Sequence, residues 1–510
     1  MGLQGVSRRI GSGAFEHAGD APLALTLGLL AFFLANAFLL NGLIWSASPE
    51  PFRGTVLKDT WDLVRGEGGD DSWGAMQAAL DHVAETPDAP LYAKVFFADN
   101  VRFQYPPSAL FALSAMLAVA PERVQIDEGY DGPWPALNSL LGWVFIALTT
   151  IAVAAVLEHT LASTWPDSDW RRMRALRALV VVGLTLTFYP IAKAFTLGQI
   201  QVWMNALFAL GIFAWATRCK VLSGILIGLI GLIKPHYGLL LVWAALRREM
   251  RFAGACAVTI AAGMAVSVAV YGLTNHLDYL RVLKFLSQRG EAYYPNQSVN
   301  GILNRLMSIS APEAFVTLDL PAGQFPPFTP WIWATTLTSS LALLGFALLR
   351  SRRPDCNGTV LDLALMALAC TMASPIAWEH HYAMTLPIYA VMLASTLRDR
   401  KRLTCLAISY VLVSTFMPAT NLFAGSVLNL LQSTLFAGAI VLFVLLATAG
   451  RRATARAAGG ALQSAVRVPQ EMPMRRASGA AALRAKRCKS AGRDCMSNRL
   501  EGSRDATANR

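Results

Sequence analysis

Long apolar stretches alternate with short clusters of Arg and Lys along most of the chain. About ten of these stretches are long enough to form membrane-spanning helices. When each stretch is counted as one crossing, the basic clusters all fall on one side, as the positive-inside rule requires. The pattern therefore predicts an all-α polytopic membrane protein. The stretches lie at about 21–46, 137–158, 176–196, 199–217, 253–273, 331–350, 359–377, 382–397, 403–421 and 429–449.

Two further apolar segments do not fit as complete crossings. The segment 106–120 is short and follows two prolines, and 221–246 is interrupted at Lys234-Pro235. Irregular backbone at membrane depth is tolerated only where it is buried in protein or lines a cavity. We therefore expect 221–246 to be a broken hairpin, and the number of transmembrane helices to lie between about 10 and 13.

The same count of crossings predicts the domain organisation. It gives a cytoplasmic N-terminal segment at 1–20, a transmembrane domain at 21–450 and a tail at 451–510. The first long loop, at about 47–136, and the second long loop, at about 274–330, then lie on the extracytoplasmic face. The sequence SPIAWEHHYAMTLP, which begins at residue 374, ends on that same face.

Composition supports a membrane protein and assigns the positive charge to the tail. Hydrophobic residues make up 55% of the chain and charged residues 15%, far from the balance of soluble domains. Residues 451–510 hold 14 Lys and Arg against 4 Asp and Glu, so they account for +10 of the net +12. The tail is expected to be disordered and to lie at the anionic leaflet. Nucleic-acid binding by the body of the protein is not indicated.

The seven cysteines show no paired spacing, which argues against a disulfide framework or a zinc site.

Several polar clusters stand at the ends of apolar stretches, where charge is costly and usually functional. Each has a simpler explanation: a solvated loop carboxylate, a lysine that extends to the interface, or a polar helix end. A metal site at the paired histidines is disfavoured because adjacent helical positions diverge by about 100°. Residues 296–298 also match a glycosylation sequon. The clusters are Asp59 with Asp62, Arg102 with Tyr105, Gln199 with Asn205, Lys234-Pro235-His236, Tyr294 to Ser298 with Arg305, and Glu379-His380-His381.

These clusters together suit an enzyme at the membrane–water boundary. A lipid phosphate would bind Lys234 and an arginine, and an attached sugar would project toward the aspartate and the histidines. Six motifs in this order are similar to glycosyltransferase family 87, a group of GT-C-class, polyprenol-phosphate-mannose-dependent mannosyltransferase-like membrane proteins. They are Asp59 after the first helix, RFQYPPSALF from 102, FYPIAKAFTLGQIQVWMNAL from 188, GLIKPHYGLLLVWAALRRE from 231, YYPNQSVNGILNR from 293 and SPIAWEHHYAMTLP from 374.

The resemblance implies a GT-C-type fold whose extracytoplasmic loops form the active-site cavity of a cell-membrane enzyme. It implies inverting transfer of a hexose, mannose above all, from a polyprenyl-phosphate donor to a glycolipid or glycan acceptor. No metal or other cofactor is needed if cationic side chains neutralise the leaving phosphate. The alternatives are a transporter or flippase of a lipid-linked sugar and a non-catalytic subunit of an envelope-glycan assembly complex.

The resemblance also implies roles for particular residues. Asp59 is the expected general base, but the extra acidic stretch RGEGGDDSW in the first long loop leaves Asp62, Asp70 and Asp71 as alternatives. One of His380 and His381 is expected to line the sugar site and to change charge near neutral pH, with His381 preferred. Glu379 is expected to meet solvent or a loop arginine. The expected ligands of the substrate or donor phosphate are Lys234, Arg102, Tyr105, Gln199, Asn296, Gln297, Arg305 and Glu379.

Overall fold

The computed structural model describes residues 21–48, 55–87, 89–120, 133–166, 168–309, 325–350 and 359–449. Helices dominate these residues, and the β-structure found among them is one isolated bridge between Asn296 and Trp378. The prediction of an all-α fold is therefore confirmed. The predictions for the N-terminal segment 1–20 and the tail 451–510 fall outside the described residues.

Eighteen α-helices, numbered in chain order over the described residues, are joined by 3₁₀ turns at several breaks. The first passes through a π-helical turn at Ala35–Leu40. The bounds are α1 Ala21–Ala47, α2 Val56–Arg65, α3 Asp71–Glu85, α4 Leu110–Val119, α5 Pro133–Thr164, α6 Arg174–Leu186, α7 Tyr189–Thr196, α8 Gln201–Ala216, α9 Lys220–Ile233, α10 Leu239–Leu246, α11 Met250–Tyr271, α12 Leu273–Arg289, α13 Val299–Met307, α14 Pro330–Leu349, α15 Val360–Met372, α16 Thr385–Thr396, α17 Arg400–Ser414 and α18 Thr434–Thr448.

The described residues contain five helices that are long and apolar enough to cross a membrane, and α6 with α7 makes a sixth as a bent pair. The protein is thus a multi-pass membrane protein. Each of the ten predicted stretches coincides with a helix, but α8 and α15, among others, are shorter than a full crossing. The predicted total of about 10–13 crossings requires these shorter helices to cross the membrane as well, and it stays a prediction. The five long helices are α1, α5, α11, α14 and the segment Val427–Thr448 that contains α18.

Proline residues account for the main breaks. The axis bends by 56° between α6 and α7, where Pro190 occupies the first turn of α7. Helix α9 ends at Ile233, Lys234 is extended, and a 3₁₀ turn at Pro235–Gly238 leads into α10. The predicted break of the 221–246 segment is confirmed. Proline lacks an N–H and crowds the preceding turn, so a helix that meets it must bend or restart.

The first long loop is folded and packs on the second. Backbone N–H groups of Tyr92 and Ala93 donate to the Asp278 carboxylate on α12, each at 3.0 Å. Tyr92 also stacks on Phe103 with ring centroids 5.5 Å apart. These contacts fix the middle of the first long loop against α12.

A buried arginine ties α6 to α5. Arg177 is fully buried and forms a two-point contact with Glu158, with N–O distances of 2.7 and 2.8 Å. Its guanidinium also donates to the Thr26 hydroxyl on α1 at 3.2 Å. A buried cation that keeps all its partners is tolerated, whereas the loss of one partner leaves an uncompensated charge.

We expect Arg177→Met to lower the free energy of unfolding by about 3–5 kcal/mol, because Glu158 then remains as an unpaired carboxylate in the helix bundle. Thermal unfolding of the detergent-solubilised protein measures this loss. Arg174→Met is the matched control, since Arg174 is exposed one turn earlier on the same helix. Equal melting temperatures for the two variants would contradict a structural role for the Arg177–Glu158 pair.

Candidate active site

Asp59 points into the protein from the first turn of α2. It is 6% exposed, and its carboxylate lies 3.8 Å from the Lys193 ammonium and 3.5 Å from the Thr196 hydroxyl. Asp62 lies one turn later and pairs instead with Lys58 at 2.5 Å near the surface. Burial raises the pKa of Asp59, and the charges of Lys193 and Lys58 lower it. Of the two aspartates on this helix, Asp59 is the one that faces the interior.

Lys193 is the residue that connects the site, and sequence reasoning missed it. It lies on α7 just after the 56° bend, and its side chain is 30% exposed. Its charge acts on Asp59, Glu379 and His380, and of these Asp59 is its ion-pair partner. The sequence did contain one indication of its role. Lys193 follows Pro190 by three residues inside the predicted crossing 176–196, and a charged side chain inside a crossing is usually functional.

Glu379 is buried beside Lys193, at the start of the 3₁₀ segment Glu379–Met384. The Tyr189 hydroxyl donates to its Oε2 at 2.6 Å, and its Oε1 has no hydrogen-bond partner among the described residues. Burial raises the pKa of Glu379 to about 7, against the lowering effect of the Tyr189 hydrogen bond and the Lys193 charge. The expectation that Glu379 meets solvent is wrong, because its side chain is buried and bonds to Tyr189. The charge of the loop arginine Arg305 does act on it, so contact with a loop arginine stays a prediction.

The two histidines follow Glu379 and point in different directions. Their rings meet edge to face with centroids 4.7 Å apart. His381 is half-buried and its Nδ1 accepts from the Trp378 N–H at 3.2 Å, whereas His380 is buried and its Nε2 has no partner in the described part of the chain. Burial and the charge of Lys234 lower the pKa of both imidazoles. The direction of this shift opposes the predicted change of histidine charge near neutral pH, so we expect neutral rings.

Lys234 makes this end of the site cationic. Its ammonium donates to Gln201 Oε1 at 2.8 Å, and Gln201 in turn donates to Asn205 at 2.8 Å. No carboxylate lies within ion-pair distance of Lys234 in the described residues. Its charge acts on His236, His380 and His381. An ammonium that has only an amide partner in an enclosed place is suited to bind an anion.

The predicted ligands in the second long loop form hydrogen bonds mainly to backbone groups of neighbouring segments. The Asn296 side chain bonds to Glu291 O, Pro375 O and Ala377 N, and Gln297 bonds to Gln432 O and Phe436 N. Arg305 donates to the carbonyl of Asn296 and to the Ser433 hydroxyl. All three side chains are fully buried. They fix the loop against the segment that precedes Glu379, and direct contact with a substrate stays a prediction for them.

The remaining predicted ligands lie on the first long loop and in the segment just before α8. Arg102 forms an ion pair with Glu291 at 3.2 Å and is 38% exposed. Tyr105 and Gln199 share one hydrogen-bonded cluster, with 3.2 Å between the tyrosine hydroxyl and the glutamine Oε1. Asp59, Glu379 and His380, by contrast, have the charge of Lys193 in common.

An aromatic stack borders the carboxylates. Phe416 lies between Tyr189 and Tyr294, with ring centroids 5.3 and 5.7 Å away and rings nearly parallel. Tyr293 meets Tyr294 and Trp378 edge to face. Aromatic faces beside carboxylates offer both apolar contact and hydrogen-bond acceptors, which is the combination that a sugar ring requires.

Comparison with known proteins identifies the family of this chain. A sequence model of glycosyltransferase family 87 matches residues 103–375, more than half of the chain. The chain belongs to glycosyltransferase family 87. The prediction of a membrane glycosyltransferase is therefore confirmed. The matched range contains Lys193 and Lys234, begins after Asp59 and ends before Glu379.

Two relatives carry the same printed description, a polyprenol-phosphate-mannose-dependent alpha-(1-2)-phosphatidylinositol mannoside mannosyltransferase. The protein from Mycolicibacterium smegmatis is 25% identical over 333 residues, which cover 61% of this chain and 67% of the relative. The protein from Mycobacterium tuberculosis is 27% identical over 315 residues, which cover 60% of this chain and 65% of the relative. This glycosyltransferase thus spans about two thirds of the length of these relatives. No solved structure matches it.

The raised pKa of Glu379 gives a prediction that does not depend on substrate. Infrared difference spectra should contain a carboxylic-acid carbonyl band below pH 7 that is lost as the pH rises through about 7, because burial favours the neutral form. Glu379→Gln should remove this band, and Glu85→Gln, at an exposed position, should leave it. A spectrum of Glu379→Gln identical to wild type would contradict the assignment.

Proposed function

We propose that this glycosyltransferase moves mannose from polyprenyl-phosphate mannose to a hydroxyl of a membrane glycolipid. The observation that carries the proposal is the cluster of Asp59, Lys193 and Glu379 beside a cationic end that holds Lys234. The family supports the class of reaction, and the two relatives' names supply the donor and the type of acceptor. The orientation expected from the basic clusters puts the reaction on the extracytoplasmic face of the cell membrane, with both termini cytoplasmic.

The donor phosphate is assigned to Lys234 in this proposal. A phosphate there gains a charge-assisted hydrogen bond from the ammonium, and the neutral imidazoles of His380 and His381 can donate to its oxygens or to sugar hydroxyls. The sugar then extends toward Lys193 and the stack of Tyr189, Phe416 and Tyr294. The cations neutralise the leaving phosphate, so the reaction needs no metal on chemical grounds.

Asp59 acts as the general base. The acceptor oxygen forms a bond to the anomeric carbon while the bond from that carbon to the phosphate oxygen breaks, and the electron pair leaves with the polyprenyl phosphate. The acceptor proton passes to the Asp59 carboxylate. Burial raises the pKa of Asp59, which improves its basicity, and the Lys193 charge opposes that rise. One displacement with one base inverts the configuration at the anomeric carbon.

The direct test is label transfer by the purified protein in lipid nanodiscs. Radiolabelled polyprenyl-phosphate mannose is supplied with phosphatidylinositol mannosides, and labelled glycolipid is measured after extraction. We expect label in a product of inverted configuration and none when a nucleotide-linked mannose replaces the donor. Movement of labelled donor between leaflets without product would favour a flippase instead and contradict the proposal.

Asp59→Asn should lower the transfer rate by at least about a hundredfold, the lower end of the usual contribution of general base catalysis. An amide cannot accept the acceptor proton, yet it keeps the shape of the site, so donor affinity should be nearly unchanged. Asp62→Asn is the matched control on the same helix and should retain activity. Full turnover by Asp59→Asn would show that another carboxylate is the general base.

Lys234→Met should weaken donor binding by about 1.5–3 kcal/mol, roughly tenfold to a hundredfold, because a charge-assisted hydrogen bond to phosphate is lost. Binding of unlabelled polyprenyl-phosphate mannose to detergent-solubilised protein measures the change. Lys220→Met is the control, since Lys220 lies at the other end of α9 over the Trp215 ring and pairs with Glu249. Equal donor affinities for the Lys234 and Lys220 variants would show that Lys234 does not bind the donor phosphate.

A further inference from the structure

A second polar cluster lies where the first long loop meets the segment after α7. Gln199 Oε1 accepts from the Ser72 hydroxyl at 2.8 Å and from the Tyr105 hydroxyl at 3.2 Å. The backbone N–H of Ile200 donates to Ser72 at 3.1 Å. With its oxygen occupied, the Gln199 amide turns its N–H₂ to Asp71 and donates to Oδ2. The Asp71 carboxylate is therefore fixed in direction by the cluster behind it.

The main chain holds Asp71 close to the catalytic cluster. Gly69 N–H donates to the Thr196 carbonyl at 2.9 Å, and Asp71 N–H donates to the Leu197 carbonyl at 3.0 Å. Gly198 has φ +68°, and a Cβ there would lie 1.8 Å from the Gly69 carbonyl, so only glycine permits this approach. The Thr196 hydroxyl also donates to the Asp59 carboxylate. The backbone of residues 69–71 therefore lies next to the residue that contacts the proposed base, Asp59.

Asp71 is the member of this cluster that remains available to a ligand. Ser72 and Gln199 are buried, whereas the Asp71 side chain is exposed. Enclosure by the surrounding protein raises the pKa of Asp71, and the Gln199 hydrogen bond and the charges of Arg102 and Lys193 lower it. The Asp71 carboxylate is thus held in one direction by Gln199 and is still reachable from solvent.

The charges beside Asp71 differ from those beside Lys234. Lys234 is an ammonium with three imidazoles near it, and no carboxylate in the described residues pairs with it. Near Asp71, the Arg102 guanidinium already pairs with a second carboxylate, Glu291. A phosphate is repelled by Asp71 and attracted by Lys234, whereas hydroxyl groups are good donors to a fixed carboxylate.

We propose that Asp71, oriented by Gln199 and Tyr105, binds the acceptor headgroup, and that this headgroup is a polyol with adjacent hydroxyls. The inference rests on the proposed function and names its acceptor subsite. The polyol enters between Asp71 and Asp59, and the donor sugar approaches from the Lys234 side. One acceptor hydroxyl donates to Asp71, which leaves its neighbour directed at the Asp59 carboxylate.

The test separates acceptor binding from turnover. Short-chain phosphatidylinositol, as a polyol probe, and short-chain phosphatidylcholine, as a probe without headgroup hydroxyls, are titrated against the full-length protein in detergent. Wild type should bind the inositol lipid at least about tenfold more tightly than the choline lipid, which corresponds to one hydrogen bond to a charged group. Asp71→Asn should remove most of this preference and leave the affinity for polyprenyl-phosphate mannose unchanged.

Asp70→Asn is the matched control, because it makes the same change of charge one residue earlier without touching Gln199. Its preference for the inositol lipid should persist, and melting temperatures check that both variants are folded. A preference that persists in Asp71→Asn, or a loss of donor affinity in that variant, would overturn the proposal. If wild type shows the preference but transfers no mannose, the proposed function fails and the polyol subsite stands.

Discussion

The burial of two carboxylates near one lysine is the constraint on which the rest of the site depends. Lys193 lies 3.8 Å from Asp59 and close enough to Glu379 for its charge to lower that residue's pKa. Asp59 and Glu379 are both buried, and an unpaired buried ion costs several kcal/mol. Compensation by Lys193 allows a reactive carboxylate to stand in an enclosed place.

Interrupted helices make this arrangement accessible. Straight helices would direct Lys193 and Lys234 into lipid, but the bend before α7 and the break after α9 turn both toward the protein interior. The inward turn after Trp378 adds Glu379 and the two histidines. The first long loop packs against α12 and against the segment after α7. The protein thus gathers polar side chains at the breaks between helices that are otherwise apolar.

The sequence predicted the fold class better than the site, for physical reasons. Apolar stretches and basic clusters specify helices because lipid leaves the backbone few alternatives, and Pro235 marked its break correctly. Lys193 was missed because a bend of 56° has no signal beyond a single proline. Asn296 and Arg305 were chosen as ligands, yet their side chains bond to main chain. A polar residue that supports a loop and one that binds substrate have the same appearance in a sequence.

The most direct measurement of the central claim is a structure of the protein with a non-cleavable phosphonate analogue of polyprenyl-phosphate mannose. We expect the phosphonate within hydrogen-bond distance of the Lys234 ammonium and the anomeric carbon facing the Asp59 carboxylate. A phosphonate bound away from Lys234, with Asp59 remote from the anomeric carbon, would contradict the proposed site.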